Sequence, residues 1–131
     1  MLDAARNESV NKPLAAQGCP VVLPSEWKDY FERRGPQTWQ GDEIRRYVRS
    51  HFPMPALMEV TKTLPALPRE AARHVVLMKN ISRQGSSFLH ADQLFPGERV
   101  ELTLPTGRRA YTVVRCVRHN ARCFEVGTEL A

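Results

Sequence analysis

The stretch Asn80-Ile81-Ser82-Arg83-Gln84-Gly85 decides how this chain is read. It follows the apolar run Val75-Val76-Leu77-Met78 and precedes Ser87-Phe88-Leu89, which places it where one strand ends and the next begins. Asn80 and Ser82 are two apart, a spacing that sends both side chains to the same face of an extended chain. Gly85 has no Cβ, so the backbone there can take a positive φ or let a flat ligand come close. Taken alone, the segment reads as a turn in which Asn and Ser bond their own backbone and Gly releases the strand.

A second element changes that reading. Upstream, Arg45-Arg46-Tyr47-Val48-Arg49 holds two arginines four apart with a third beside them. An Arg-x-x-x-Arg followed some thirty residues later by Asn-x-Ser-x-x-Gly resembles the PilZ domain family, whose members are receptors for the bacterial second messenger cyclic di-GMP. The likeness spans residues 44 to 130. It implies a six-stranded antiparallel β-barrel, often closed by a C-terminal helix. Arg45 and Arg49 match the arginine motif and Asn80, Ser82 and Gly85 match the strand motif. Many family members carry Asp where this chain has Asn80. Here Ala131 stands three residues past the last expected strand.

Composition narrows the rest. With 131 residues the chain accommodates one small domain and an appendage, and no apolar run approaches the length of a membrane span. With no signal pattern at the N-terminus either, the expected location is cytoplasmic. Nineteen Lys and Arg against fourteen Asp and Glu give a net charge of +5, which favours an anionic partner. The three cysteines, Cys19, Cys116 and Cys123, lack the spacing of a disulfide framework. A two-residue turn at His119-Asn120 would set Cys116 opposite Cys123, but no Cys-x-x-Cys accompanies them, and no metal site is expected.

Residues 1–24 read as a flexible leader, and residues 25–43 as a helix and linker. Ser25 is a good N-cap, Trp27, Tyr30 and Phe31 share a helical face, and Gly35-Pro36 is a stop signal; the aromatic face is expected to dock on the barrel. Trp39 reads as a packing anchor in the linker. Asp42 can cap a second short helix carrying the arginines, which Pro53 and Pro55 would end. Residues 44–131 form the barrel domain with its arginine arm. The expected strands are 56–63, 73–78, 86–89, 99–104, 110–117 and 123–128, with turns at Phe95-Pro96-Gly97 and Pro105-Thr106-Gly107. The fold class is therefore mainly β, a small six-stranded antiparallel barrel with an N-terminal helical extension.

Cyclic di-GMP carries two phosphates and two guanines, so a receptor needs cations and edge-specific partners. Arg45, Arg46 and Arg49 supply guanidinium groups suited to phosphates and to the N7/O6 edge of guanine. Asn80 and Ser82 would face the other edge, with Gly85 leaving room for the chain. The expected partners are cyclic di-GMP and a downstream protein, with no membrane insertion. No cofactor is implied. Ser86, Ser87, His90 and Asp92 crowd one strand and its exit, where alternating faces prevent a converging triad, so no enzyme is expected. Two alternatives stand beside this. One is a basic barrel that binds nucleic acid through Arg108, Arg109, Arg115, Arg118 and Arg122, with Tyr111 and Phe124 as stacking platforms. The other is a ligand-independent protein-interaction module.

Overall fold

Alternation with period two writes the strands: in β6 (Arg99–Leu104), Val100, Leu102 and Leu104 are buried while Arg99, Glu101 and Thr103 are not. The computed structural model describes residues 18–32, the backbone of residues 35 and 36, and residues 50–131. Arg45, Arg46 and Arg49 lie outside the described residues, as do Trp39 and the helix expected from Asp42. The other strands are β1 (Gly35–Pro36), β2 (Ser50–His51), β3 (Pro55–Lys62), β4 (Arg73–Ile81), β5 (Gly85–His90), β7 (Gly107–Asn120) and β8 (Cys123–Leu130).

Six of these close on themselves. β3 pairs with β4 and β6, β4 with β5, β5 with β8, β8 with β7 and β7 with β6, all antiparallel. Each of the six thus has a partner on both sides, and the barrel wall presents no open edge. β2 extends the line of β3 along β4, and β1 adds a short pairing outside it. The six expected strands are all present. The largest difference is in β7, which is longer at both ends than the apolar pattern suggested because its arginine-rich flanks pair as well.

Two apolar clusters lie on opposite sides of the wall. Met58, Val76, Met78, Phe88, Val100, Leu102, Tyr111, Val113 and Val126 fill the interior. On the outside, Leu77, Leu89 and Cys123 meet Cys19, Val21, Leu23 and Tyr30. Residues 18–24, the end of the segment read as a flexible leader, therefore lie against the barrel. Their apolar residues repeat every second position, a strand-like pattern too short to stand out in sequence. This N-terminal strap is tied down by Val22 N–H donating to Arg122 O (3.1 Å) and by the Asn120 side chain donating to Val22 O (3.0 Å).

The helix expected from Ser25 is replaced, among the described residues, by a turn and a single 3-10 turn at Tyr30–Glu32. Trp27 N–H bonds back to Pro24 O at 3.0 Å, and the Tyr30 hydroxyl donates to Met78 O at 2.6 Å, so the strap follows the barrel surface and an axial helix does not form. Trp27, Tyr30 and Phe31 dock on the barrel as their spacing implied. Gly35-Pro36, expected as a stop, pairs with β2.

The β7–β8 hairpin turns one pair later than His119-Asn120: Asn120 pairs with Cys123, and Cys116 faces Val126. The expected opposition of Cys116 and Cys123 is thus overturned, since placing the turn at Ala121-Arg122 carries Cys116 past Cys123 along β8. Among the described residues no group of three or more His, Cys, Asp or Glu could hold a metal. No helix among them is long and apolar enough to cross a membrane.

The loop from Ala91 to Glu98 covers the barrel end where β5 finishes. Gly97 takes a φ of 98° there, a conformation that L side chains avoid. Glu98 is fully buried, and both its oxygens accept from Arg69, at 2.6 and 2.9 Å, while Phe95 N–H adds a bond of 2.8 Å. Near it His90 is 2% exposed, its ring 5.1 Å from that of His74. Burial, reinforced by the neighbouring His74 and opposed by Asp92, pushes the pKa of His90 down to about 4. Between that value and the ordinary 6.5 the unfolded chain binds a proton that the folded chain refuses, so stability falls as pH drops through this window. Urea unfolding at pH 7 and pH 5 is expected to show this loss, up to about 1.4 kcal/mol per pH unit, and His90→Gln to flatten it.

Candidate functional site

Asn80 lies near the end of β4, and its placement depends on an irregularity that sequence does not announce. Met78 pairs with Phe88 but Asn80 pairs with Ser87, so Lys79 is an extra residue in β4. Met78 and Phe88 point inward and Leu77 and Leu89 outward. Resuming the alternation after the bulge, Ile81 packs on the interior and Asn80 faces out beside Lys79. Asn80 is 7% exposed, flanked by His51 of β2 on one side and Ser87 of β5 on the other. The Ser87 hydroxyl is buried without a hydrogen-bond partner among the described residues.

Ser82 shapes the turn that follows. Its N–H donates to Gly85 O (2.9 Å), and its hydroxyl oxygen accepts from Gly85 N–H (3.2 Å) and Gln84 N–H (3.4 Å). The local reading of this motif as a self-bonded turn therefore holds for Ser82, while Asn80 is left outside it. Gly85 has no positive φ. A Cβ there would collide with the carbonyl oxygen of Thr128 on β8. The glycine is needed because β5 and β8 approach closely, and this requirement comes from the barrel itself. Gly85→Ala is expected to force β5 away from β8 and to destabilise the fold by about 2 kcal/mol, read as a lower urea midpoint.

The arginine segment lies outside the described residues, but the chain enters β2 at Ser50, directly after Arg49 in sequence. Ser50 is paired with Ile81, the residue between Asn80 and Ser82, and His51 with Asn80. The end of the first motif is thus joined to a strand registered on the second.

Sequence reasoning missed a further group of residues next to Asn80. Lys79 donates to Glu125 at 2.9 Å and sits 5.3 Å from the centre of the Trp27 ring. His119 Nε2 lies 2.8 Å from the same Glu125 oxygen, with its ring edge-on to Trp27. Burial of Glu125 works to raise its pKa, but the bonds from Lys79 and His119 outweigh it and hold the carboxyl below its ordinary value. Trp27 is stacked parallel to Tyr30 at 6.0 Å. Trp27, Asp29, Tyr30, His51, Pro53 and Lys79 line a cleft of about 130 Å³ between strap and barrel. The signal for this group was split between the strap and β4, 48 residues apart in the case of Tyr30 and Met78, and only the fold brings it together.

The barrel thus combines an apolar interior with polar side chains gathered on its outer wall around Asn80 and Lys79. The PilZ domain family model matches residues 43–130, and the chain belongs to that family. No curated protein matches the chain.

Proposed function

We propose that this protein is a receptor for cyclic di-GMP, bound by Arg45, Arg46 and Arg49 from the arm and by Asn80, Ser82 and Gly85 from the barrel. The observation that carries the reading is the register of β2 on β4, which joins the residue after Arg49 to the middle of the strand motif. Guanidinium forks suit both phosphates and the N7/O6 edge of guanine. The Asn80 amide offers one acceptor and two donors to another edge, and the bulge at Lys79 sets the face it presents. Contacts to the ligand made only when the arm lies on the barrel would favour that arrangement, and a downstream protein could read it.

Binding without catalysis fits the strand that carries the candidate nucleophile. Ser87 and His90 face opposite sides of β5, and the Ser86 hydroxyl is bonded to that of Thr128 at 2.8 Å. The nucleic-acid alternative loses one of its platforms, since Tyr111 is only 1% exposed. Its other platform, Phe124, already has the Arg118 guanidinium 6.0 Å from its ring centre.

Calorimetric titration with cyclic di-GMP, run beside GMP and cyclic di-AMP, tests the reading. Saturable binding selective for the guanine dinucleotide is expected, with Arg49→Ala weakening it by about 2 kcal/mol or more, the scale of a lost charge-assisted hydrogen bond. Absence of binding at millimolar ligand would leave the motifs without their ligand and return the protein-interaction reading to first place.

A further inference from the structure

The cleft between strap and barrel lies beside Asn80 but belongs to neither motif. Two of its lining residues fix its position: His51 is paired with Asn80 across β2 and β4, and Lys79 is the bulged residue that precedes it. Pro53 adds a third residue from the barrel side, and the strap supplies Trp27 and Tyr30 as aromatic walls and Asp29 as the acidic member. Its volume of about 130 Å³ is close to that of a cavity that admits one aromatic ring, roughly 150 Å³ for a benzene site. Open on one side, it leaves space for the remainder of a fused base to project.

The chemistry of this lining is specific. Planar aromatic side chains favour a planar heterocycle over an aliphatic or purely ionic guest. A carboxylate and an ammonium lining the same small space match a guest with adjacent donors on one edge and acceptors on another. Guanine has both: N1–H and the N2 amino group as donors, O6 and N7 as acceptors. Adenine lacks the paired donors that a carboxylate matches. Cyclic di-GMP has two guanines, and Asn80 with its single uncharged acceptor can serve only one of them in part.

We propose that the cleft is a guanine subsite, in which the Asp29 carboxylate accepts from N1–H and N2–H2 and Lys79 donates to the O6/N7 edge. The inference rests on the cyclic di-GMP reading and adds to it that the strap, which lies upstream of the family match, is part of the binding site. A base seated there touches strap and barrel at once, so ligand binding and strap docking reinforce each other. Lys79 also keeps its bond to Glu125, since an ammonium has three donors.

The test is a titration of wild type and Asp29→Asn with cyclic di-GMP and with cyclic di-IMP, whose hypoxanthine bases lack the N2 amino group. Wild type is expected to prefer cyclic di-GMP, and Asp29→Asn to bind it roughly tenfold more weakly with most of that preference lost, as a charged acceptor becomes a neutral amide. Thermal unfolding of the variant checks that the strap remains docked. If wild type binds cyclic di-GMP and Asp29→Asn matches it in affinity and in preference, the subsite is overturned while the receptor reading stands. A fall in affinity with the preference intact overturns the guanine-edge role of Asp29. No binding by wild type overturns both.

Discussion

Closure through β5 is the constraint on which the rest of the structure depends. This six-residue strand is hydrogen-bonded on one side to β4 and on the other to β8, and it is the piece that turns an open sheet into a barrel. From Ser86 to His90 every residue is buried, because one face looks into the barrel and the other is covered by Leu23, Tyr30 and their neighbours. A strand buried on both faces tolerates few polar groups without partners. The Ser86–Thr128 hydroxyl pair is the response on the inside, and the glycine at position 85 is the response to the crowding of two backbones.

The same closure explains how electrostatics are distributed. Interior ionisable groups gather at the end of the barrel covered by the Ala91–Glu98 loop, where Glu98 is matched by Arg69 and His90 is kept neutral. On the outer wall, Glu125 collects Lys79 and His119 under the Trp27 ring. The cysteines follow burial as well: desolvation raises the thiols of Cys19 and Cys123, the latter to about 12, so neither is a ready nucleophile. Each buried charge has its partner within a few residues of a turn or bulge, where the backbone can be adjusted to suit it.

Much of this was legible in the sequence, and for a definite reason. The six barrel strands are written either as period-two alternation, as in β6, or as short apolar runs, as in β4, and local pattern suffices to find them. The Asn80-x-Ser82-x-x-Gly85 motif was equally visible, as was the docking of Trp27, Tyr30 and Phe31. What escaped was register. The bulge that adds Lys79 beside Asn80 and the turn position that sets Cys116 against Val126 come from how facing strands fit, and no local signal records them. The strap escaped too, since Cys19, Val21 and Leu23 make too short a pattern and Ser25 is a persuasive N-cap. Tertiary contact with the barrel, through Tyr30 and the Trp27–Lys79 pair, won over helical propensity.

The strap has a practical bearing on where this domain begins. The family match starts at residue 43, yet the outer cover of β4, β5 and β8 starts no later than Cys19. A chain cut at the family boundary would bare Leu77, Leu89 and Cys123 together as a sticky apolar patch with a reactive sulfur in it, and would invite self-association. The folding unit is longer than the unit that the family pattern marks out, and the surplus is the residue stretch that keeps the barrel's outer wall dry.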